Sequence, residues 1–141
     1  MKRNLYIALF LILTIGIVAY KNIGDGINSP KRYGMVTGIK PEKIAYYKKL
    51  HAAAWPGVLK RINECNIRNY SIYLQKIEDK YYLFSYFEYT GNNFEADMKK
   101  MAADSLTRRW WKETDPTQLP LPQAAARHQQ WQDMEEVFHT K

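Results

Sequence analysis

One hundred and forty-one residues allow a single domain with a short appendage and exclude two full hydrophobic cores. A hydrophobic fraction of 46% excludes wholesale disorder, and a single cysteine, Cys65, excludes an internal disulfide and any multi-cysteine zinc or iron–sulfur site. The formal charge of +7 sits on bases scattered among acids; even the densest group, Lys99, Lys100, Arg108, Arg109 and Lys112, is interrupted by Asp104 and reads as a solvated helical face, with no nucleic acid expected.

Met1-Lys2-Arg3-Asn4 is a basic lead-in to an apolar run from Leu5 to Tyr20, broken only by Thr14 and Gly16. That is the layout of an export signal or a signal-anchor, so residues 1–20 read as a hydrophobic helix, cleaved or retained. Lys2 and Arg3 stay on the cytoplasmic side, the domain is exported to the periplasm or cell surface, and membrane contact is confined to this segment. Residues 21–30, with Asn22, Gly24, Asp25, Gly26, Asn28, Ser29 and Pro30, have linker composition and leave 31–141 as the domain.

Tyr33, Met35, Thr37 and Ile39 alternate with Gly34, Val36 and Gly38, which predicts a first strand ending near Lys40. Pro41-Glu42 opens a helix, and Ile44, Tyr47, His51 and Trp55 recur at three- and four-residue steps on one stripe. Pro56 kinks or restarts that helix, after which Val58, Ile62 and Cys65 continue an apolar face. Tyr70–Ile77 and Lys80–Tyr89 read as a hairpin about a turn at Glu78-Asp79. Asn92 or Asn93 caps a second helix through Ala103, and Ser105–Thr114 adds a further helical piece. Pro116, Pro120 and Pro122 enforce a loop, Ala124–Gln132 holds a helical turn or two, and Glu135–Thr140 is the candidate closing strand.

The order is β-α-β-β-α-β, an α+β arrangement of the ferredoxin-like type. In the third strand Tyr81, Leu83, Ser85 and Phe87 face one way and Tyr82, Phe84 and Tyr86 the other, while helices cover only one face. Packing of two sheets face to face in a homodimeric barrel is the simplest way to bury the second aromatic face.

His51, His128 and His139 show no metal-ligand spacing, and the chain has neither a Gly-rich phosphate loop nor a C-x-x-C pair, so neither a metal nor a cofactor is expected. What remains is Tyr47, His51, Trp55, Tyr70, Trp110 and Trp111. Tyr47 and His51 project on one side of their helix, where imidazole and phenol can exchange protons near neutral pH. Adjacent tryptophans cannot both enter one core from a helix, so one of them faces a surface, cleft or interface. A flat ring beside polar donors suits a sugar. A satisfied core histidine and a packing tryptophan pair are the plainer readings of the same residues.

The segments Tyr47-Lys-Lys-Leu-His51, Trp55-Pro56, Asn69-Tyr70-Ser-Ile-Tyr-Leu74, Arg109-Trp110-Trp111-Lys112 and Glu136-Val137-Phe138, in this order and approximate spacing, resemble the L-rhamnose mutarotase family. The resemblance runs from Arg32 through Phe138. It implies a small ferredoxin-like homodimer without metal or cofactor that interconverts the α and β anomers of a six-membered sugar, most simply L-rhamnose. It implies that His51 is the general acid, protonating the ring oxygen, and that Tyr47, Tyr70, Trp110 and Trp111 line the sugar pocket. The chain departs from the family pattern at Ala52-Ala53-Ala54, where His-Asn-Pro is common, and in its export-type N-terminus. Two further readings stand beside it: a dimeric ferredoxin-like monooxygenase, and a membrane-tethered sugar-binding module without turnover.

Overall fold

Alternation after Pro30 does form a strand, β1 (Lys31–Ile39), in a computed structural model that describes residues 29–140. The expected hydrophobic helix at 1–20 and most of the linker at 21–30 lie outside the described residues. Among the described residues no helix is long and apolar enough to cross a membrane.

After β1 a single 3₁₀ turn, Pro41–Lys43, leads into α1 (Ile44–Ala52). Pro56 restarts the chain as α2 (Pro56–Glu64), because proline fits the first helical turn, where its missing N–H is not needed. Trp55 is thus the residue before α2 and not part of the α1 stripe. Cys65, fully buried, ends α2, and Asn66 reverses the chain in the left-handed region at φ 58°.

The hairpin is longer than its sequence signal: β2 spans Ile67–Ile77 and β3 Lys80–Tyr89. Two pairing frames meet in it, for Arg68 pairs with Glu88 but Ser71 with Tyr86, so Asn69 and Tyr70 together oppose Phe87. This is a β-bulge, with Asn69 at φ 50° and its amide donating to Glu88 Oε2 at 2.7 Å. The extra residue resets the alternation, turning Tyr70, Ile72 and Leu74 to the same face as Leu83, Ser85 and Phe87.

Two helices follow, α3 (Phe94–Ala103) and α4 (Ser105–Thr114). Asn93 caps the first by accepting from Ala96 N at 3.0 Å, as the sequence predicts. Asp104 caps the second, accepting from both the backbone N and the hydroxyl of Thr107 at 2.8 Å, and binds Arg61 of α2 at 3.1 Å. The first turn of α4 is thereby tied to α2.

Where the sequence suggests one closing strand at 135–140, there are two shorter ones earlier in the chain. β4 (Gln118–Leu119) and β5 (Gln132–Met134) share the free edge of β1, with a single helical turn, α5 (Pro122–Ala125), between them. The prolines explain this division, since they interrupt any longer ladder. Residues 135–140 follow as irregular chain, pinned by Glu136, which accepts two hydrogen bonds from Arg32 at 2.6 and 2.8 Å. The sheet is antiparallel in the order β2-β3-β1-β4, the ferredoxin-like arrangement, with helices over one face.

Leu83, Ser85, Phe87 and Tyr89 of β3 are buried, whereas Tyr82, Phe84, Tyr86 and Glu88 on the other face are half-exposed, and Tyr73 of β2 is 62% exposed. The interior divides into two clusters. Cys65, Ile67, Phe87 and Met101 form one, and Ile39, Tyr47 and Leu83 the other.

Candidate active site

Between the helices and the inner face of the sheet lies a cavity of about 1110 Å³. Of the six residues singled out from the sequence, Tyr47, His51, Tyr70, Trp110 and Trp111 line it, and Trp55 does not. The α1 periodicity stacks Tyr47 and His51 one turn apart, ring centroids 4.1 Å from each other. His51 also meets Trp110 of α4 edge-on at 5.2 Å, and Trp110 meets Trp55 edge-on at 5.3 Å. The Tyr46 hydroxyl, donating to Glu113 Oε2 at 2.5 Å, holds α1 to α4 so that these rings stay in contact.

The adjacent tryptophans part company as their helical positions demand. Trp110 is buried beside His51, while Trp111 packs against the other cluster, around Cys65, Ile67, Phe87 and Met101. Tyr70 comes from across the sheet, where the bulge turns its ring inward onto Phe87 at 5.7 Å. Its ring is partly exposed, but its hydroxyl lies where burial pushes the phenol up to about 12.

The Nδ1 of His51 lies 2.9 Å from the Tyr47 carbonyl oxygen, an acceptor, so Nδ1 carries a proton and donates. That leaves Nε2 as the free nitrogen. Burial lowers the imidazole below its ordinary 6.5, and the carbonyl contact only partly offsets this. The resting ring is therefore neutral at pH 7, with a lone pair on Nε2. Tyr47 is shifted the opposite way: burial first, and the nearby Tyr70 second, raise its hydroxyl well above the usual range, against a hydrogen bond from the Gln118 side chain. The site thus combines a neutral base with two phenols that keep their protons.

Sequence reasoning missed Gln118, Gln130, Trp131 and Asp115, which also line the cavity. Trp131 packs on the cluster containing Tyr47, and burial raises the Asp115 carboxyl. These four lie in or beside the proline-broken stretch, where no periodicity marks a facing direction. Cys65 is buried with its thiol pushed up by burial, which suits packing and not nucleophilic chemistry. Among the described residues no three His, Cys, Asp or Glu side chains are grouped to hold a metal ion.

Comparison with known proteins gives this cavity a family context. Residues 32–140 match the family model described as L-rhamnose mutarotase. The L-rhamnose mutarotase of Oceanobacillus iheyensis is 34% identical over 86 residues, covering 61% of this chain and 78% of that protein. That of Lactiplantibacillus plantarum is 28% identical over 108 residues, covering 77% and 96%. The crystal structure of L-rhamnose mutarotase from Formosa agariphila superimposes with a TM-score of 0.58 at 18% identity, covering 79% of this chain and 99% of that one, and so shares the fold. With 109 consecutive positions matched, and the same five segments falling within them, this chain belongs to the L-rhamnose mutarotase family.

Proposed function

We propose that the protein is an isomerase that interconverts the α and β anomers of L-rhamnose, with His51 as the proton-transferring residue. The observation that carries this reading is the His51 ring itself, neutral, fixed through Nδ1, and walled by Tyr47 and Trp110 in a cavity that also holds Tyr70 and Trp111. Anomer exchange needs a proton taken from the anomeric hydroxyl and a proton given to the ring oxygen. Nε2 accepts the first proton; the electron pair of O1 then forms the carbonyl as the bond from C1 to the ring oxygen breaks. The imidazolium so formed protonates the departing ring oxygen. After rotation about C1–C2, the same steps in reverse close the ring on the other carbonyl face.

The ring-oxygen proton thus comes from His51 acting as acid, as the family resemblance implies, but the neutral resting state requires it to act first as base. Tyr47 and Tyr70, held protonated, donate hydrogen bonds to whichever oxygen is negative, and the indoles of Trp110 and Trp111 offer faces and edges to the apolar side of the sugar. Positioned acid–base groups of this kind contribute roughly 10²- to 10⁴-fold, enough to matter for a reaction that already proceeds in water.

The half-exposed outer face of the sheet, with Tyr73, Tyr82 and Phe84, supports a homodimer in which two such faces pack together. The basic and apolar residues 1–20 support export, with the domain tethered or released outside the cytoplasm. The test of function is NMR measurement of anomer exchange on L-rhamnose and on related monosaccharides, with and without protein. Acceleration greatest on L-rhamnose supports the assignment; exchange at the uncatalysed rate on every sugar refutes it.

A further inference from the structure

The side-chain oxygens of Gln118 and Gln130 are both buried and both without a hydrogen-bond partner, and both residues line the cavity. A buried carbonyl oxygen left without a donor is costly, and native proteins keep few of them. Two along one cavity, one of them on the Gln118 side chain that also hydrogen-bonds Tyr47, point to donors that arrive with a ligand. Gln118 is 6% exposed, and its position is closely defined. Its pairing with Ile39 in the β1–β4 ladder puts its side chain on the same face as that of Ile39, the face that lines the cavity. The backbone N of Lys40 donates to Thr117 O at 3.0 Å, and the Thr117 hydroxyl to Thr114 O at 2.6 Å, so the residue just before Gln118 is fixed to both β1 and the end of α4.

We propose that Gln118 and Gln130 contact the substrate, accepting hydrogen bonds from ring hydroxyls remote from C1, and thereby set which monosaccharide the cavity accepts. The proposal rests on the mutarotase reading above and adds its specificity-determining residues. Amide oxygens suit this role because they accept from a hydroxyl without titrating, so they select stereochemistry without competing with His51 for protons. The terminal amide torsion of glutamine is soft, so each oxygen can turn to meet an arriving hydroxyl.

The test uses the full chain with Gln118→Met or Gln130→Met, which keep side-chain length and remove the acceptor. Anomer exchange is followed by NMR on L-rhamnose and on 6-deoxyhexoses that differ from it at one of C2, C3 or C4. The expected result is a KM for L-rhamnose raised roughly tenfold, at nearly unchanged kcat for Gln130→Met and with some loss of kcat for Gln118→Met, which also removes the donor to Tyr47, together with a similar narrowing of discrimination against one epimer, a different epimer for each glutamine. Equal losses across all sugars, or an unchanged KM, overturn the proposal. Should Gln118→Met fail to fold, Gln130→Met, in irregular chain, carries the same expectation. If wild-type protein accelerates no exchange, it is the functional reading that fails, and calorimetric binding of L-rhamnose then decides the glutamines: weaker binding by the variants supports them, equal binding or none overturns them.

Discussion

Replacing His51 with asparagine removes one ring nitrogen and keeps the equivalent of the other. An asparagine amide at this position can still donate to the Tyr47 carbonyl one turn back, replacing the 2.9 Å contact that Nδ1 makes, while nothing stands where Nε2 stood. The helix and the Tyr46–Glu113 tie between α1 and α4 are retained, and what is lost is the proton carrier with its ring contacts to Tyr47 and Trp110. The expected cost is the whole acid–base contribution, roughly 10²- to 10⁴-fold in kcat, or about 3–5 kcal/mol of barrier. The assay is NMR exchange spectroscopy between the α and β signals of L-rhamnose, with the uncatalysed rate subtracted. A second readout is the pH profile. Because burial lowers the imidazole below 6.5, wild-type activity holds at neutral pH and falls only as acid protonates the ring, at a midpoint under 6.5. The variant shows no such acid limb. A His51→Asn protein that keeps more than a tenth of wild-type kcat, or a wild-type midpoint above 6.5, would refute the reasoning.

Trp110→Ala removes a buried ring that touches both His51 and Trp55, so it should destabilise the fold by about 3–5 kcal/mol, read as a lower urea midpoint at unchanged slope. Gly38→Ala places a methyl group 2.7 Å from the Leu119 carbonyl oxygen, and should loosen β4 at a cost of about 1–3 kcal/mol, seen as faster proteolysis between 116 and 122 and a raised KM. Phe84→Asp puts a charge on the outer sheet face and should give a monomer by light scattering. A wild-type protein that is itself monomeric at micromolar concentration would instead remove the proposed dimer.

Chemistry was most legible where regular structure repeats. Tyr47 and His51 share a face because helical residues four apart must, and the β3 alternation separated Leu83, Ser85 and Phe87 from Tyr82, Phe84 and Tyr86 as the pleat requires. The tryptophan pair was readable for the same reason, as two adjacent helical positions cannot serve one cluster. Trp55 was misplaced because a proline restarts a helix without altering the spacing of apolar residues before it. The final third was hardest to read. β4 and β5 are two and three residues long, too short for any periodicity, and their existence depends on pairing with β1 from about 80 to 100 residues away. Gln118 and Gln130 were invisible for that reason, since a glutamine in a proline-rich loop carries no signal of which way it points. The start of β2 was missed because Arg68 and Asn69 are polar and the bulge breaks the alternation that would have extended the strand back to Ile67.

That bulge also sets which genetic changes β2 can absorb. Most substitutions in β2 alter a single contact, and loss of one codon at Asn69 would only remove the extra residue, but loss of one codon farther along, at Tyr73, would turn over the residues between it and the bulge. With the turn to β3 holding the register, Tyr70 and Ile72 would then face outward and Ser71 inward, so the cavity wall and the outer face would be scrambled together. The reading frame of the strand, no less than the identity of its residues, is therefore expected to be under selection. Length variation in this family should avoid β2 beyond the bulge and collect in the stretch between β4 and β5.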